Sequence, residues 1–165
     1  NSPMIRPRTA NVPWVISASV SGLQCLFGRS EEYVLGQHPY DANETFETSA
    51  STSRPRFNRF NNRRKTHKYM QICAASYGWL FASAEMSWYL KGIAWKLYRA
   101  PMLLIQAEQD DYVWGNEICR FARRIQRYEG ASCEFLYLPG TKHETYSCDD
   151  KTMQYYVNKV LTFFA

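Results

Sequence analysis

The sequence predicts an α/β fold with a mostly parallel sheet, and three segments after residue 100 carry this prediction. Pro101–Ala107 is a continuous apolar run, as expected for a parallel strand buried on both faces. Cys133–Leu138 is a second strand, which Pro139-Gly140 should stop. The residues between them predict an amphipathic helix. Its apolar stripe consists of Ile118, Phe121, Ala122 and Ile125.

The ends of the helices carry their own signals. Gly130 should end the helix between the strands. Ser147 and Asp150 have the spacing of a capping box that opens a last helix. Two strands cannot bury both faces of a sheet, so we expect chain before Asn1 or a partner to supply neighbours. The last helix should carry one apolar stripe, formed by Met153, Tyr156, Val157, Val160, Leu161 and Phe164.

The first part of the chain has a different texture. Residues 1–8 resemble the end of a core strand, and residues 9–98 predict a mostly helical insertion with long connections. The polar segment Gln37–Ser53 predicts a surface loop. A first helical stripe comprises Trp14, Ile16, Val20, Leu23 and Phe27, and a second helix should begin at Tyr77 and run through Phe81, Ala84, Trp88 and Ile93.

The composition narrows the class of protein without identifying it. Hydrophobic residues make up 45% of the chain and charged residues 21%, which is typical of a globular domain. The net charge of +5 favours contact with anionic surfaces. The five cysteines include no C-x-x-C pair, so we predict neither a disulfide framework nor a metal site. We also expect no cofactor. No apolar run approaches the ~20 residues of a membrane span.

Two loops that follow the predicted strands contain residues suited to acyl transfer. Ligands of such sheets bind beyond the carboxyl ends of the strands. Asp110 follows the first strand and His143 follows the second. A histidine can take a proton from a serine hydroxyl, and a buried carboxylate orients that histidine. Asp111 is an alternative acid, and Glu144 is expected only to shape the loop. The other histidines, His38 and His67, are expected at the surface.

These loops resemble those of the lysophospholipase and monoacylglycerol lipase family of serine α/β-hydrolases. The similarity rests on Gln106-Ala107-x-x-Asp110-x-x-Val113 and on Pro139-Gly140-x-Lys142-His143-Glu144. It implies a partial α/β-hydrolase fold, with residues 9–98 as a helical lid and 99–165 as the C-terminal part of the core. It also implies that Asp110 and His143 are catalytic and that Tyr77 and Trp79 bind substrate. Ala74-Ala75-Ser76 departs from the Gly-Pro-Thr that is usual in such lids.

The expected nucleophile is not in this sequence. A nucleophile elbow reads G-x-S-x-G, and no serine here has glycines two residues to each side. The resemblance therefore implies a serine esterase for lysophospholipids or monoacylglycerols whose nucleophile and oxyanion hole lie outside the chain. We expect the chain alone to be inactive. Three alternatives remain: half of a two-chain enzyme, an inactive remnant, and a non-enzymatic module.

The basic segment, residues 54–68, does not by itself identify what it binds. It contains seven cations, no acidic residue and interleaved aromatics. It could be a solvated helix face, a contact with anionic membrane lipid, or a site for single-stranded nucleic acid. We disfavour nucleic acid. The expected partners are a lipid ester substrate, the N-terminal half of the hydrolase fold and an anionic membrane surface. The expected location is the cytoplasm or the periphery of the inner membrane.

Overall fold

The computed structural model describes residues 1–128 and 131–165, and it confirms the α/β class. The order of helices and strands is α1 (Trp14–Leu26), α2 (Arg54–Thr66), α3 (Tyr77–Tyr89), α4 (Trp95–Leu97), β1 (Met102–Gln109), α5 (Gly115–Gln126), β2 (Cys133–Lys142) and α6 (Asp150–Phe164). Two short 3-10 helices, Lys68–Met70 and Thr145–Ser147, and a π-helical stretch, Leu90–Ala94, complete it.

The two strands pair in parallel, as the sequence predicts. Met102 lies opposite Cys133, and the register holds through Ala107 and Leu138. The expectation that Pro139-Gly140 stops β2 is wrong, because the strand continues to Lys142 after a register shift. Gly140 has a φ of +69° and its amide donates to the Glu108 carboxylate at 2.8 Å. The Pro-Gly pair therefore kinks the strand without ending it.

Helix α5 buries the predicted stripe against the sheet. Its apolar residues form one cluster with Ile5, Leu104 and Val113, and all of them are at most 6% exposed. This helix holds the end of β1 in place through the Val113 contact. The helix ends at Gln126, and the predicted stop at Gly130 lies outside the described residues. The buried stripe comprises Ile118, Phe121, Ala122 and Ile125, as predicted.

The start of α6 corrects the capping-box prediction. Asp149 is the N-cap, and its carboxylate accepts from the Thr152 amide at 3.0 Å and the Thr152 hydroxyl at 2.6 Å. Ser147 instead lies in the preceding 3-10 helix, where its hydroxyl is 2.6 Å from that of Ser51. The carboxylate of Asp149, which directly precedes the helix, thus accepts the hydrogen bond from a free amide of the first turn.

The predicted stripe of α6 is only half covered. Tyr156 and Val160 pack on the sheet residues Ile105, Leu136 and Leu138. Val157, Leu161 and Phe164 are 39%, 63% and 79% exposed, so half of the stripe is uncovered within this chain. A two-stranded sheet is too narrow to cover the whole stripe of a helix of this length.

Helix α1 forms where the sequence predicts it, but it buries a different face. The helical spacing is confirmed, but of the five residues that show it only Trp14 is buried, since Ile16, Val20, Leu23 and Phe27 are 45–71% exposed. Besides Trp14, the buried face consists of small residues, Ala18 and Ser21, that let α3 approach closely. A Cβ added to Gly22 would lie 2.8 Å from the Phe81 ring. The cluster between the helices contains Trp14, Ala18, Leu80 and Ala84.

Helix α3 begins at Tyr77 as predicted, with the Ser76 hydroxyl accepting from the Trp79 amide at 3.2 Å. The prediction that the helix runs through Trp88 and Ile93 is confirmed, because the π-helical stretch Leu90–Ala94 continues α3 without a break. Both side chains are about half exposed, at 49% and 50%. The backbone turns π-helical at Leu90. That change of pitch rotates the following residues relative to the α3 face that meets α1.

The connection between α1 and α2 is irregular, but its end is not a free surface loop. Ser49, Ser51 and Ser53 are each at most 7% exposed, because this stretch packs on the segment after β2. The prediction of a surface loop for Gln37–Ser53 is therefore wrong for its last residues. The hydroxyl of Ser51 donates to the Ser147 carbonyl at 2.8 Å.

Residues 1–8 contain one isolated bridge, Pro7 to Val113, and no regular strand. The Ser2 amide donates to the Ile105 carbonyl at 2.7 Å, so the chain start lies beside β1. Further on, the Arg8 amide donates to the Tyr112 carbonyl at 2.8 Å. The division into residues 1–8, 9–98 and 99–165 stays a prediction.

Candidate active site

Asp110 occupies the first position after β1 and is 3% exposed. Its Oδ1 accepts hydrogen bonds from the amides of Tyr112 and Val113, both at 2.9 Å. Val113 is fully buried in the α5 cluster, so the packing of that helix fixes the turn that holds the carboxylate. Asp110 is therefore rigidly placed at the carboxyl end of the strand.

His143 follows the last residue of β2, and its ring meets Asp110. Its Nδ1 lies 2.9 Å from Oδ2 and 3.0 Å from Oδ1 of that carboxylate. The two residues are 33 apart in sequence, and the parallel strands bring them together. Asp111 is exposed and makes no described contact with the ring, so the geometry favours Asp110 as the partner. The Nδ1 contact turns Nε2 away from the carboxylate.

The hydrogen bonds at Asp110 favour its ionised form. Burial by itself raises the pKa of this carboxyl. The hydrogen bond and charge of His143 and the amides of Tyr112 and Val113 outweigh burial and lower the pKa below its ordinary value. A carboxylate that stays ionised can hold the Nδ1 proton of a neutral imidazole and stabilise the imidazolium form.

Two residues that sequence reasoning did not single out position this pair. The Tyr112 ring lies 5.0 Å from the His143 ring, tilted by 45°, and restricts its movement. Glu108 accepts from the Tyr137 hydroxyl at 2.9 Å and from the Gly140 amide at 2.8 Å, which fixes the kink that leads to His143. Both residues lie within the motif of residues 106–113. A sequence motif gives residue types, however, and does not show these contacts.

The connection before α2 is tied to the histidine loop from the other side. The Lys142 ammonium donates to the Ser49 carbonyl at 2.8 Å, and the Glu144 amide donates to the Ala50 carbonyl at 3.3 Å. Glu144 therefore shapes the loop, as expected. Burial, followed by the nearby charge of Glu44, raises the pKa of the Glu144 carboxyl.

The structure does not bring the other two predicted site residues to this pair. Tyr77 is half-buried at the start of α3, and its amide donates to the Glu32 carbonyl at 3.0 Å. Trp79 is 46% exposed. Within the described ranges, no hydrogen bond or aromatic pair joins either side chain to Asp110 or His143. Their role in substrate binding stays a prediction.

In residues 1–128 and 131–165, the only hydrogen bonds to the His143 ring come from its Nδ1 contact with Asp110, so no described serine hydroxyl reaches it. His38 and His67 are exposed, as predicted. The same ranges hold no group of three or more His, Cys, Asp or Glu placed to bind a metal ion. Among the described helices, none is both long enough and apolar enough to cross a membrane.

Comparison with solved structures identifies the fold. A soluble variant of monoglyceride lipase from Saccharomyces cerevisiae, in complex with a substrate analog, matches with a TM-score of 0.65 and 14% identity, over 98% of this chain and 53% of the lipase. The monoacylglycerol lipase of Paleococcus ferrophilus matches with a TM-score of 0.62 and 13% identity, over 99% of this chain and 56% of the lipase. No protein-family profile and no curated protein sequence matches.

The predicted partial α/β-hydrolase fold is therefore confirmed, with a small parallel sheet and packed helices. The chain spans about half the length of the lipases that it matches. At this level of identity the likeness defines the fold, and function has to be argued from the residues of the site.

Proposed function

We propose that this chain is the C-terminal part of a serine carboxylic-ester hydrolase that acts on single-chain lipid esters, either lysophospholipids or monoacylglycerols. The observation that carries the proposal is the 2.9 Å contact between Asp110 and the Nδ1 atom of His143. Both residues sit at the carboxyl ends of neighbouring parallel strands, where such folds carry their chemistry. The fold of two monoglyceride lipases supports the same assignment.

In the proposed reaction, a serine from chain material outside this sequence attacks the ester carbonyl. His143 takes the hydroxyl proton on Nε2 as the serine oxygen bonds to the carbonyl carbon. Asp110 holds the Nδ1 proton and stabilises the imidazolium. His143 then gives its proton to the departing alcohol, which leaves an acyl-enzyme. Water, deprotonated by the same ring, attacks the acyl-enzyme and releases the fatty acid and the free serine.

We further propose that residues 9–98 form the lid and that the aromatic side chains of Tyr77 and Trp79 contact the acyl chain. Trp79 is 46% exposed, so its ring is accessible to an apolar ligand. Several exposed apolar side chains on α1 belong to the same helical layer. The proposed lipid substrate would bind its acyl chain to these exposed apolar side chains.

A first experiment tests the chain by itself. Purified chain should hydrolyse a nitrophenyl ester no faster than its His143→Ala variant, because serine and oxyanion hole together supply most of the catalysis. A rate clearly above that of the variant would contradict the proposal that the nucleophile lies elsewhere.

A second experiment uses a longer protein in which a segment with a G-x-S-x-G elbow precedes this chain. With that elbow present, we expect Asp110→Asn to lower kcat by about 10⁴, the loss known when a triad acid can no longer fix the histidine tautomer. The matched control, Asp111→Asn, should stay within about twofold of wild type, since exposed substitutions are usually small in effect. Equal losses in the two variants would remove Asp110 from the proposed role.

A further inference from the structure

A cavity of about 230 Å³ opens beside the histidine loop. One wall comes from the residues that directly follow His143, among them Glu144 and Tyr146. Helix α2 contributes Arg56, Arg59 and Arg63 to the lining. The cavity therefore lies next to the candidate site while its cations come from a different part of the chain.

Three of the seven cations of the basic segment pair with carboxylates. Arg54 pairs with Glu47 at 2.8 Å, and Arg64 is buried, pairs with Glu44 at 2.5 Å and contacts the Tyr40 ring. A helix face that is wholly solvated is therefore not what the structure has. Of the remaining cations, only Arg59 and Arg63 line the cavity.

Inside the cavity, Arg56 is also engaged, with Asp150 at 2.8 Å and with the Cys148 carbonyl at 2.7 Å. Arg59 and Arg63 differ from it. Both are exposed, they lie four residues apart on one helix face, and neither side chain has a hydrogen bond or ion pair among the described residues. Two guanidinium groups on one face can share an anion through several N–H donors.

The cavity also has an apolar side. Phe60 and Tyr146 are 40% and 54% exposed, and Met70 also lines the cavity. A ligand that fills such a cavity needs an anionic group for the cations and apolar atoms for these rings. An amphiphile with a phosphate group has both.

The one carboxyl that lines the cavity opposes an anion less than an exposed glutamate would. Burial, followed by Glu44, raises the pKa of Glu144, and its carboxyl accepts a hydrogen bond from Tyr146. Because Asp150 pairs with Arg56, the two arginines Arg59 and Arg63 against this one carboxyl leave the cavity with an excess of positive charge.

We propose that Arg59 and Arg63 bind the phosphate group of a single-chain amphiphile in this cavity, beside the histidine loop. The inference rests on the proposed function for one point, that the phosphate belongs to the alcohol side of a lipid ester. It selects the phosphate-bearing class among the single-chain esters. The binding chemistry itself requires no catalysis.

Binding to the 165-residue chain tests the proposal by calorimetry or tryptophan fluorescence. The probes are a short-chain lysophosphatidate below its critical micelle concentration, the monoacylglycerol with the same acyl chain, and inorganic phosphate. We expect the lysophosphatidate to bind at least about tenfold more tightly than the monoacylglycerol, the effect of one or two charge-assisted contacts. Binding of inorganic phosphate as tight as that of lysophosphatidate would overturn the amphiphile and assign the site to free phosphate.

Two paired variants make the test specific to the cavity. Arg59→Gln with Arg63→Gln should abolish the preference for lysophosphatidate and leave monoacylglycerol binding unchanged. Arg123→Gln with Arg127→Gln removes the same charge from α5 and the residue that follows it, and should keep the preference. Circular dichroism checks that both variants fold. Equal loss in both pairs would show a general charge effect and overturn the proposal, as would full retention in the first pair.

The result also separates this inference from the proposed function. If the preference fails while a longer, elbow-bearing product hydrolyses esters in a His143-dependent manner, only the phosphate site is wrong. If the preference holds and that product shows no hydrolysis, the phosphate site stands and the proposed reaction is wrong.

Discussion

The segment 99–165 and the helical segment 9–98 differ in what covers their apolar side chains. In the former, all four residues of the α5 stripe are at most 5% exposed against the sheet and its flanking residues. In the latter, α1 buries Trp14, Ala18 and Ser21, while Ile16, Val20 and Leu23 are 45–53% exposed. Helical periodicity thus locates a helix in both regions, but it identifies the whole buried face only for α5, because the packing of α1 on α3 selects a face that includes small residues.

The largest expected effect comes from shortening a side chain in α5. Ile118 is fully buried, so Ile118→Ala should lower the free energy of unfolding by about 2–5 kcal/mol. Leu23 belongs to the exposed stripe of α1, and Leu23→Ala should cost within about 0.5 kcal/mol. Urea denaturation of the two variants measures both values.

These two variants test directly whether α5 and α1 differ in how their apolar stripes are covered. A cost for Leu23→Ala that approaches the cost for Ile118→Ala would mean that the exposed face of α1 is covered in solution. A dependence of the Leu23→Ala cost on protein concentration would then point to contact between copies of the chain.

Enlarging a small residue in the helical segment should have the next largest effect. Ala18 is fully buried between α1 and α3, so Ala18→Leu should destabilise by about 1–3 kcal/mol through overpacking. Val15→Leu adds volume to the same helix at a position that is 65% exposed, and it should be nearly neutral. Thermal unfolding compares the two, and a neutral Ala18→Leu would contradict the close packing of the helices.

The fold elements that sequence predicted well are those with a local cause. The apolar run of β1 and the stripe of α5 meet each other within the same segment, so hydrophobic pattern and burial agree. The sequence assigns the N-cap of α6 to Ser147, whereas the structure has Asp149 at that position. A tertiary contact with Ser51 removes Ser147 from that role.

At the candidate site, too, local features could be predicted from the sequence and tertiary contacts could not. The types and spacing of Asp110 and His143 are local signals, and the strand ends that carry them could be predicted. The ring contact of Tyr112 and the carbonyl that Ser49 offers to Lys142 could not, since they arise when distant segments pack. The structure also leaves Tyr77 without a described contact to the pair, which no motif could have indicated.

A smaller effect is expected at the kink before His143. Gly140 has a φ of +69°, and an added Cβ would meet no atom within 4 Å, so Gly140→Ala should cost about 1–2 kcal/mol from backbone strain alone. Gly92 offers equal space without a positive φ, so Gly92→Ala should be neutral or slightly stabilising. Denaturant midpoints distinguish the two, and a neutral Gly140→Ala would contradict the assigned backbone conformation.

The smallest expected effect is a change in the pH dependence of stability at the acid loop. The pKa of Asp110 is lower in the folded chain than its ordinary value, so the folded state binds fewer protons than the unfolded state. Its contribution is complete above about pH 5 and is lost as the pH falls through the lowered folded-state pKa. Asp110→Asn should therefore show a shallower loss of stability below about pH 5 than wild type.

The neighbouring carboxylate supplies the control for that measurement. Asp111 is exposed and one residue away, so Asp111→Asn removes the same charge from the same loop without touching the His143 contact. Chemical denaturation across the acid range should give Asp111→Asn the slope of the wild type. If both variants flatten the slope equally, the acid loss comes from the general charge of the loop, and the Asp110–His143 contact contributes no measurable stability in solution.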